Sequence, residues 1–160
     1  MNTAIKTRIA RAESLVDVEN VRRLFLEYAQ SLGFSLCFQG FDEELAGLPG
    51  MYRPPDGVLL LATIDGQPAG CAGIHKIDDH VCEMKRLYVR PEFRGTGLGR
   101  QLAEAIIRAA RVVGYRKMRL DTIAGRMDRA IALYRELGFE NTDPYRPNPI
   151  PEALYMELRL

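Results

Sequence analysis

Residues 82–115, CEMKRLYVRPEFRGTGLGRQLAEAIIRAARVVGY, decide the fold. They predict a strand over Cys82–Val89, which ends before Pro91 because proline has no backbone N–H and restricts the residue before it. A glycine-rich loop follows at Arg94–Gly99. A helix then begins at once, since apolar residues recur at helical spacing as far as Val113. The stretch is therefore a strand, a sharp loop and a helix in immediate succession.

The loop has the composition of an anion site. Gly95, Gly97 and Gly99 let the backbone turn sharply and bring its N–H groups close to a ligand. Backbone donors and a helix N-terminus then face one point, an arrangement that binds phosphate above all. Arg94 and Arg100 flank the loop and add positive charge. A tight turn before a surface helix is the alternative interpretation.

Two common phosphate loops do not fit these residues. A P-loop requires a lysine directly after its last glycine, and none stands there. The dinucleotide-binding motif Gly-x-Gly-x-x-Gly requires a third glycine where this sequence has Arg100.

With these two excluded, the sequence resembles the GNAT (Gcn5-related) N-acetyltransferases. Their signature, Gln/Arg-x-x-Gly-x-Gly/Ala, is matched by Arg94, Gly97 and Gly99. The preceding MKRLYV, residues 84–89, is typical of the strand that leads into that signature. AIALYRELGF, residues 130–139, is similar to the family's second motif.

The resemblance extends over Ile9–Leu160, so residues 1–160 are interpreted as a single acyl-CoA N-acyltransferase domain. It implies an α/β (α+β) fold: a mixed, mostly antiparallel central sheet of about seven strands with helices on both faces. A chain of this length buries a sizeable core.

Periodicity gives the same organisation. Strands are predicted over Lys6–Ala12, Gly57–Ile64, Pro68–Ile77, Cys82–Val89, Lys117–Ile123 and Leu154–Leu160, with a short one starting at Phe139. Helices are predicted over Val18–Leu32 (capped by Ser14), Asp42–Leu48, Leu98–Val113 and Met127–Leu137. Tight turns make the middle strands an antiparallel meander. The helix after the glycine loop instead favours a parallel crossover.

Composition excludes several function classes. The chain is 47% hydrophobic with a net charge of +1, which indicates a globular protein and gives no support for nucleic-acid binding. No apolar run approaches ~20 residues, and the N-terminus lacks the apolar core of a signal peptide. Cys37, Cys71 and Cys82 form no Cys-x-x-Cys pair, so a reducing cytoplasm is expected.

The resemblance implies acetyl-CoA as cosubstrate and no metal. The loop would hold the pyrophosphate, the preceding strand would pair with the pantetheine arm, and the parallel neighbour would splay away to admit the thioester. The cofactor-binding residues implied are Leu87, Tyr88, Val89, Arg94, Gly95, Thr96, Gly97, Leu98, Gly99 and Arg100. Met127 stands where many members have a cofactor-contacting Asn, so that contact is expected to be absent.

Two catalytic residues follow from the same resemblance. Glu83 is the expected base, acting directly or through water on an acceptor amine whose ordinary pKa is ~10.4. The alternative is a strand-surface Glu paired with Lys85 or an arginine. Tyr134 is the expected acid for the leaving thiolate, and the alternative is a core tyrosine on the helix stripe.

The sequence therefore predicts an acetyl-CoA-dependent N-acetyltransferase that moves acetyl directly to a primary amine of a small molecule or peptide. A non-catalytic acyl-CoA-binding domain is the alternative, and a Cys/His hydrolase is a distant third.

His75 and His80 lack metal-ligand spacing. Phe34, Phe38, Phe41 and Tyr52 lie where the family lines its acceptor pocket. The acceptor and a homodimer are left open.

Overall fold

A computed structural model describes residues 4–33, 35–36 and 40–160 of the protein. Its strands are β1 Thr7–Arg11, β2 Val58–Ile64, β3 Gln67–Lys76, β4 Val81–Val89, β5 Lys117–Ile123, β6 Glu140–Asn141 and β7 Ala153–Arg159. Its α-helices are α1 Leu15–Ser31, α2 Phe41–Ala46, α3 Leu98–Val113 and α4 Asp128–Glu136. Short 3₁₀ turns lie at Gly50–Tyr52 and Pro91–Phe93.

The strands form one seven-stranded sheet in the order β1-β2-β3-β4-β5-β7-β6. β1 to β4 are an antiparallel meander, and β5, β7 and β6 pair antiparallel to one another. Only β4 and β5 run parallel within the described residues, as expected for strands joined by helix α3. The predicted mixed, mostly antiparallel sheet of about seven strands is confirmed.

Local chemistry sets the helix ends. Ser14 caps α1 as predicted, because its hydroxyl accepts from the N–H of Asp17 at 3.1 Å. This cap starts α1 at Leu15, three residues before the predicted Val18. α4 begins one residue later than predicted, and the strand expected from Phe139 begins at Glu140.

Each face of the sheet is covered by its own helices. α3 and α4 pack on one face around residues such as Leu102 and Ile106, and α1 and α2 pack on the other around Leu24 and Phe25. Gly70 on β3 allows β4 to approach closely: a Cβ at this position would lie 2.7 Å from the carbonyl oxygen of Tyr88.

The parallel pairing of β4 and β5 is short. It joins Val81–Glu83 to Lys117–Arg119 and then stops, although both strands continue. β4 goes on pairing with β3, through an irregular register at which Arg86 adopts a φ of +61°. The predicted splay between the parallel neighbours is therefore present, and it opens the sheet directly before the glycine loop.

None of the helices in the described ranges is both long and apolar enough to span a bilayer.

Candidate active site

A cavity of about 840 Å³ occupies the opening between β4 and β5. Its walls are the second half of β4, the start of α3, the end of β5 and the start of α4. Eight of the ten predicted cofactor-binding residues line it: Leu87, Tyr88, Val89, Arg94, Gly95, Gly97, Leu98 and Gly99. The size is in the range of small-molecule and cofactor sites.

The loop conformation depends on glycine. Gly95 and Gly97 have φ of +81° and +85°, a left-handed conformation that other residues adopt rarely. An added Cβ at either position would meet no atom within 4 Å, so the space beside the loop is open. α3 begins at Leu98, and its first N–H groups have no partners within the helix. The loop and helix together present these donors, with the positive end of the helix dipole, to the cavity.

Arg94 is fixed at the mouth of the loop. Its Nε donates to the carbonyl of Val89 at 2.9 Å, and its guanidinium lies 5.8 Å from the ring centre of Tyr88. The charge is thereby held beside the cavity, where it suits an anionic ligand.

The other two predicted cofactor-binding residues turn away from the cavity. The Thr96 hydroxyl donates to the Phe93 carbonyl at 2.7 Å. The Arg100 guanidinium bonds the carboxylates of Glu104 and Glu136 at 2.9 and 2.8 Å. Neither side chain lines the cavity, so these residues can serve a ligand there only through their backbone N–H groups.

Glu83 is completely buried in a polar cluster on the α1 face of the sheet. His75 Nε2 lies 2.7 Å from its Oε1, and the Tyr145 hydroxyl donates to its Oε2 at 2.5 Å. The Arg146 guanidinium also bonds Oε1, and Lys85 Nζ lies 3.9 Å away. The pairing with Lys85 and an arginine matches the alternative interpretation of Glu83, but the carboxylate is buried and does not lie on the surface.

The burial of Glu83 and its hydrogen-bonded and charged neighbours have opposite effects on its pKa. Burial raises the pKa, while the bond from His75 and the charges of Lys85 and Arg146 lower it. The net effect places the pKa of Glu83 at about 2. Glu83 is thus a carboxylate at neutral pH, but a weak proton acceptor, and it does not line the cavity.

Tyr134 lines the cavity from α4 and also packs in the core. Its ring lies 5.5 Å from that of Phe139, which accounts for its burial. Burial, followed by the neighbouring Tyr28 and Asp121, raises the pKa of Tyr134 above its usual value. Its hydroxyl therefore stays protonated at neutral pH and can donate a hydrogen bond.

Met127 borders the cavity at the start of α4. Its sulfur accepts from the Thr122 hydroxyl at 3.2 Å, so the thioether is tied to β5.

Two of the aromatic residues expected to contact the acceptor, Tyr52 and Phe41, instead contact Glu44 and Arg86 behind the cavity wall. The Tyr52 hydroxyl donates to Glu44 at 2.8 Å, and Glu44 forms two bonds to Arg86. Phe41 packs against the same guanidinium, whose central carbon lies 5.1 Å from the centre of the Phe41 ring. Neither aromatic lines the cavity, because both are buried behind Arg86. Phe34 and Phe38 lie outside the described residues, as does Cys37.

The geometry gives no support for a cysteine nucleophile. Cys71 and Cys82 are buried, and burial raises the pKa of both thiols, for Cys82 to about 12. Both are therefore neutral core residues. In the described part of the chain, no three His, Cys, Asp or Glu side chains are grouped to hold a metal ion.

Sequence reasoning missed several residues at this site. Tyr145 and Arg146 come from the proline-rich loop before β7, which carries no periodic signal. Asp121 alternates with buried residues on β5 and lines the cavity. Its alternation could have placed it on the same face as Arg119, but nothing in the sequence marks that face as a cavity wall.

The acetyltransferase (GNAT) family model matches residues 18–139, more than half of the chain. The chain belongs to the GNAT acetyltransferase family. Its relatives include an N-acetyltransferase of Schizosaccharomyces pombe, 42% identical over 146 residues that cover 90% of this chain and 89% of that protein. Another, from Escherichia coli, is 29% identical and covers 89% and 87%. This GNAT protein is therefore an acyltransferase rather than a non-catalytic domain.

Solved GNAT structures share the fold. An acetyltransferase from Streptococcus agalactiae matches with a TM-score of 0.78 at 19% identity, covering 96% of this chain and 98% of that one. The PaiA N-acetyltransferase of Thermoplasma acidophilum, solved in complex with coenzyme A, matches with a TM-score of 0.72 at 18% identity over 99% and 100%. These two matches show that the chain shares its fold with solved acetyltransferases.

Replacing Glu83 by Gln should destabilise this GNAT enzyme in a pH-dependent manner. Because the folded-state pKa of about 2 lies below the unfolded value of 4.5, Glu83 stabilises the fold above pH ~4.5 and loses this effect as the pH falls through 2. The linkage amounts to about 3 kcal/mol.

Urea unfolding between pH 2 and 7 tests this expectation. Glu83→Gln should be less stable at neutral pH and should show a flatter acid limb. The exposed Glu140→Gln is the control and should match the wild type. An E83Q protein with wild-type stability and an unchanged acid limb would contradict the assignment.

Proposed function

We propose that the protein transfers an acetyl group from acetyl-CoA directly to a primary amine of a small molecule or peptide. The observation that carries the proposal is that the glycine loop, the splayed end of β4 and Tyr134 border one cavity. Acetyl-CoA requires a phosphate cradle for its pyrophosphate, an extended backbone beside its pantetheine arm and a hydroxyl donor near its sulfur.

In this proposal the pyrophosphate of coenzyme A bonds the backbone N–H groups of Gly95–Arg100. Arg94 adds its charge at the mouth of the loop. The pantetheine arm lies along Leu87–Val89, whose backbone on the β5 side is released where parallel pairing has stopped. Backbone groups there would pair with the pantetheine amides in place of a neighbouring strand.

Direct transfer requires the amine nitrogen to attack the thioester carbon while the carbon–sulfur bond breaks. Charge that develops on the carbonyl oxygen is best stabilised by a backbone N–H. Tyr134 donates its proton to the leaving sulfur, which its position in the cavity wall and its retained proton support. A positioned acid of this kind contributes roughly 10²–10⁴ in rate.

A base must also take a proton from the acceptor. Glu83 acting directly or through water is one hypothesis. The low pKa of Glu83 weighs against this role. So does its position, because Glu83 does not line the cavity, although Lys85, two residues further along β4, does.

A relative's name bears on the acceptor. An N-acetylaspartate synthetase of Danio rerio is 29% identical over 82% of this chain, which spans only 50% of that protein. The name supports including amino acids in an acceptor screen, alongside polyamines, aminoglycoside antibiotics and peptide N-termini. Thiol release from acetyl-CoA is the readout. If none of the amines in the panel causes thiol release, that result would count against the proposed reaction.

Gly97→Asp should weaken coenzyme A binding. The substitution places a carboxylate in the cradle, where it repels the pyrophosphate and competes for the N–H donors. We expect the dissociation constant to rise by about tenfold or more, which corresponds to ~1.4 kcal/mol.

Isothermal titration calorimetry of folded protein measures this change. Gly97→Asn is the matched control, because it has the same shape without the charge and should lose much less affinity. Equal affinity of Gly97→Asp and the wild type would place the pyrophosphate elsewhere.

Tyr134→Phe should lower kcat by about 10²-fold, since it removes the donor to the sulfur and keeps the ring that packs on Phe139. Thermal stability and coenzyme A affinity should stay close to those of the wild type. Steady-state thiol release with the best acceptor of the screen gives kcat. Normal turnover by the Phe variant would leave Tyr134 as a core residue only.

A further inference from the structure

We propose that Asp121 binds the acceptor's ammonium group and takes up its proton. This inference rests on the proposed acetyl transfer and deepens it, because it names the residue that meets the amine.

The register of the sheet places Asp121 at the opening between the strands. Glu83 on β4 and Arg119 on β5 are the last parallel pair. Two residues further along each strand stand Lys85 and Asp121, which lie on the same face as that pair because side chains alternate. Both residues line the cavity, whereas Glu83 does not.

The face that carries Asp121 is closed by the loop before β7. Asp121 is opposite Tyr155 on β7, whose hydroxyl donates to the Arg146 carbonyl at 2.9 Å. The rings of Tyr145 and Tyr155 pack at 5.2 Å, and Arg119 lies over Tyr145. Asp121 is therefore half-buried, with water limited on one side and the cavity on the other.

Charged and titratable groups face Asp121 from every neighbouring element. They are Glu83, Lys85 and Arg86 on β4, Tyr28 on α1, Tyr134 on α4, Tyr155 on β7, and Arg146 with Tyr145 on the covering loop. Burial and then the charge of Glu83 raise the pKa of Asp121, while the cations oppose the rise without cancelling it. A carboxylate with a raised pKa is a stronger base than Glu83.

The position also relates Asp121 to the acid. The charge of Asp121 contributes to the raised pKa of both Tyr134 and Tyr28, so the carboxylate acts on both walls of the cavity. An amine held at Asp121 therefore lies in the same cavity as the hydroxyl that would protonate the sulfur.

The step balances in protons and bonds. The ammonium gives one proton to the Asp121 carboxylate, and the neutral nitrogen attacks the thioester carbon. The carbon–sulfur bond breaks as Tyr134 gives its proton to the sulfur. The nitrogen's second proton returns to the Tyr134 oxygen, and Asp121 releases its proton to solvent. The products are the amide, coenzyme A thiol and one proton.

Asp121→Asn tests the role with a readout that a structural role would not move. We expect kcat/KM at neutral pH to fall by about 10²-fold or more. The defect should shrink at high pH, where the acceptor is already a free amine. Coenzyme A affinity should not change. Stability at neutral pH should not fall, because a raised folded pKa means that ionised Asp121 costs the fold free energy above its unfolded pKa.

Glu83→Gln is measured beside it and should lose stability, and its pH–rate profile should keep its titrating limb but move to lower pH, because the charge of Glu83 no longer raises the pKa of Asp121. A folded Asp121→Asn protein with a wild-type profile would overturn the proposal. So would a profile that changes in Glu83→Gln and not in Asp121→Asn, since that result assigns the base to Glu83.

A second measurement is independent of turnover. Carbon-13 NMR follows the Asp121 carboxyl during titration with propylammonium chloride. Trimethylpropylammonium, which has no N–H to donate, is the matched control. The primary ammonium should lower the pKa of Asp121 more than the quaternary one, and equal effects would overturn the proposal. Failure of the proposed acetyl transfer would show separately, as the absence of amine-dependent thiol release from acetyl-CoA with wild-type protein across the whole acceptor panel.

Discussion

The end of backbone pairing between β4 and β5 is the constraint on which the site depends. Three residue pairs join the strands, and the strands then separate although both continue. Among the residues that the structure describes, the separation leaves one edge of β4 without a neighbouring strand, and the glycine loop follows where β4 ends. A sheet that stayed paired to Val89 would leave neither the cavity nor a free edge for an extended ligand. The irregular register at Arg86 keeps β4 attached to β3 while the other side opens.

A buried polar cluster holds the point of separation. Glu83, in the last parallel pair, is tied to His75 on β3 and to Tyr145 and Arg146 on the loop before β7. A buried carboxylate is tolerated because donors from β3 and from the loop before β7 satisfy it. The same bonds that lower its pKa fix the walls of the cavity. Arg86 and Glu44 form a second buried ion pair on this face, so the wall opposite β5 is held by charges as well as by packing.

Much of this fold could be predicted from the sequence. Alternation and glycine spacing predicted the order of strands and helices and the loop at Arg94–Gly99, and the resemblance supplied the splay. What could not be predicted came from non-local contacts. Tyr145 and Arg146 lie more than 60 residues from Glu83, in a loop whose prolines give no period. Tyr52 and Phe41 are buried behind Arg86, and no sequence pattern marks the positive φ of Arg86 within β4. Asp121 looked like one of several alternating polar strand residues until the opening beside it was known.

A crystal structure with coenzyme A tests the central claim most directly, because the claim is about where a ligand lies in the opened sheet. The account predicts the pyrophosphate on the N–H groups of Gly95–Arg100, the pantetheine arm along Leu87–Val89, and the sulfur within hydrogen-bond reach of the Tyr134 hydroxyl. Coenzyme A bound elsewhere, or a sheet in which β4 and β5 stay paired as far as Val89, would contradict it.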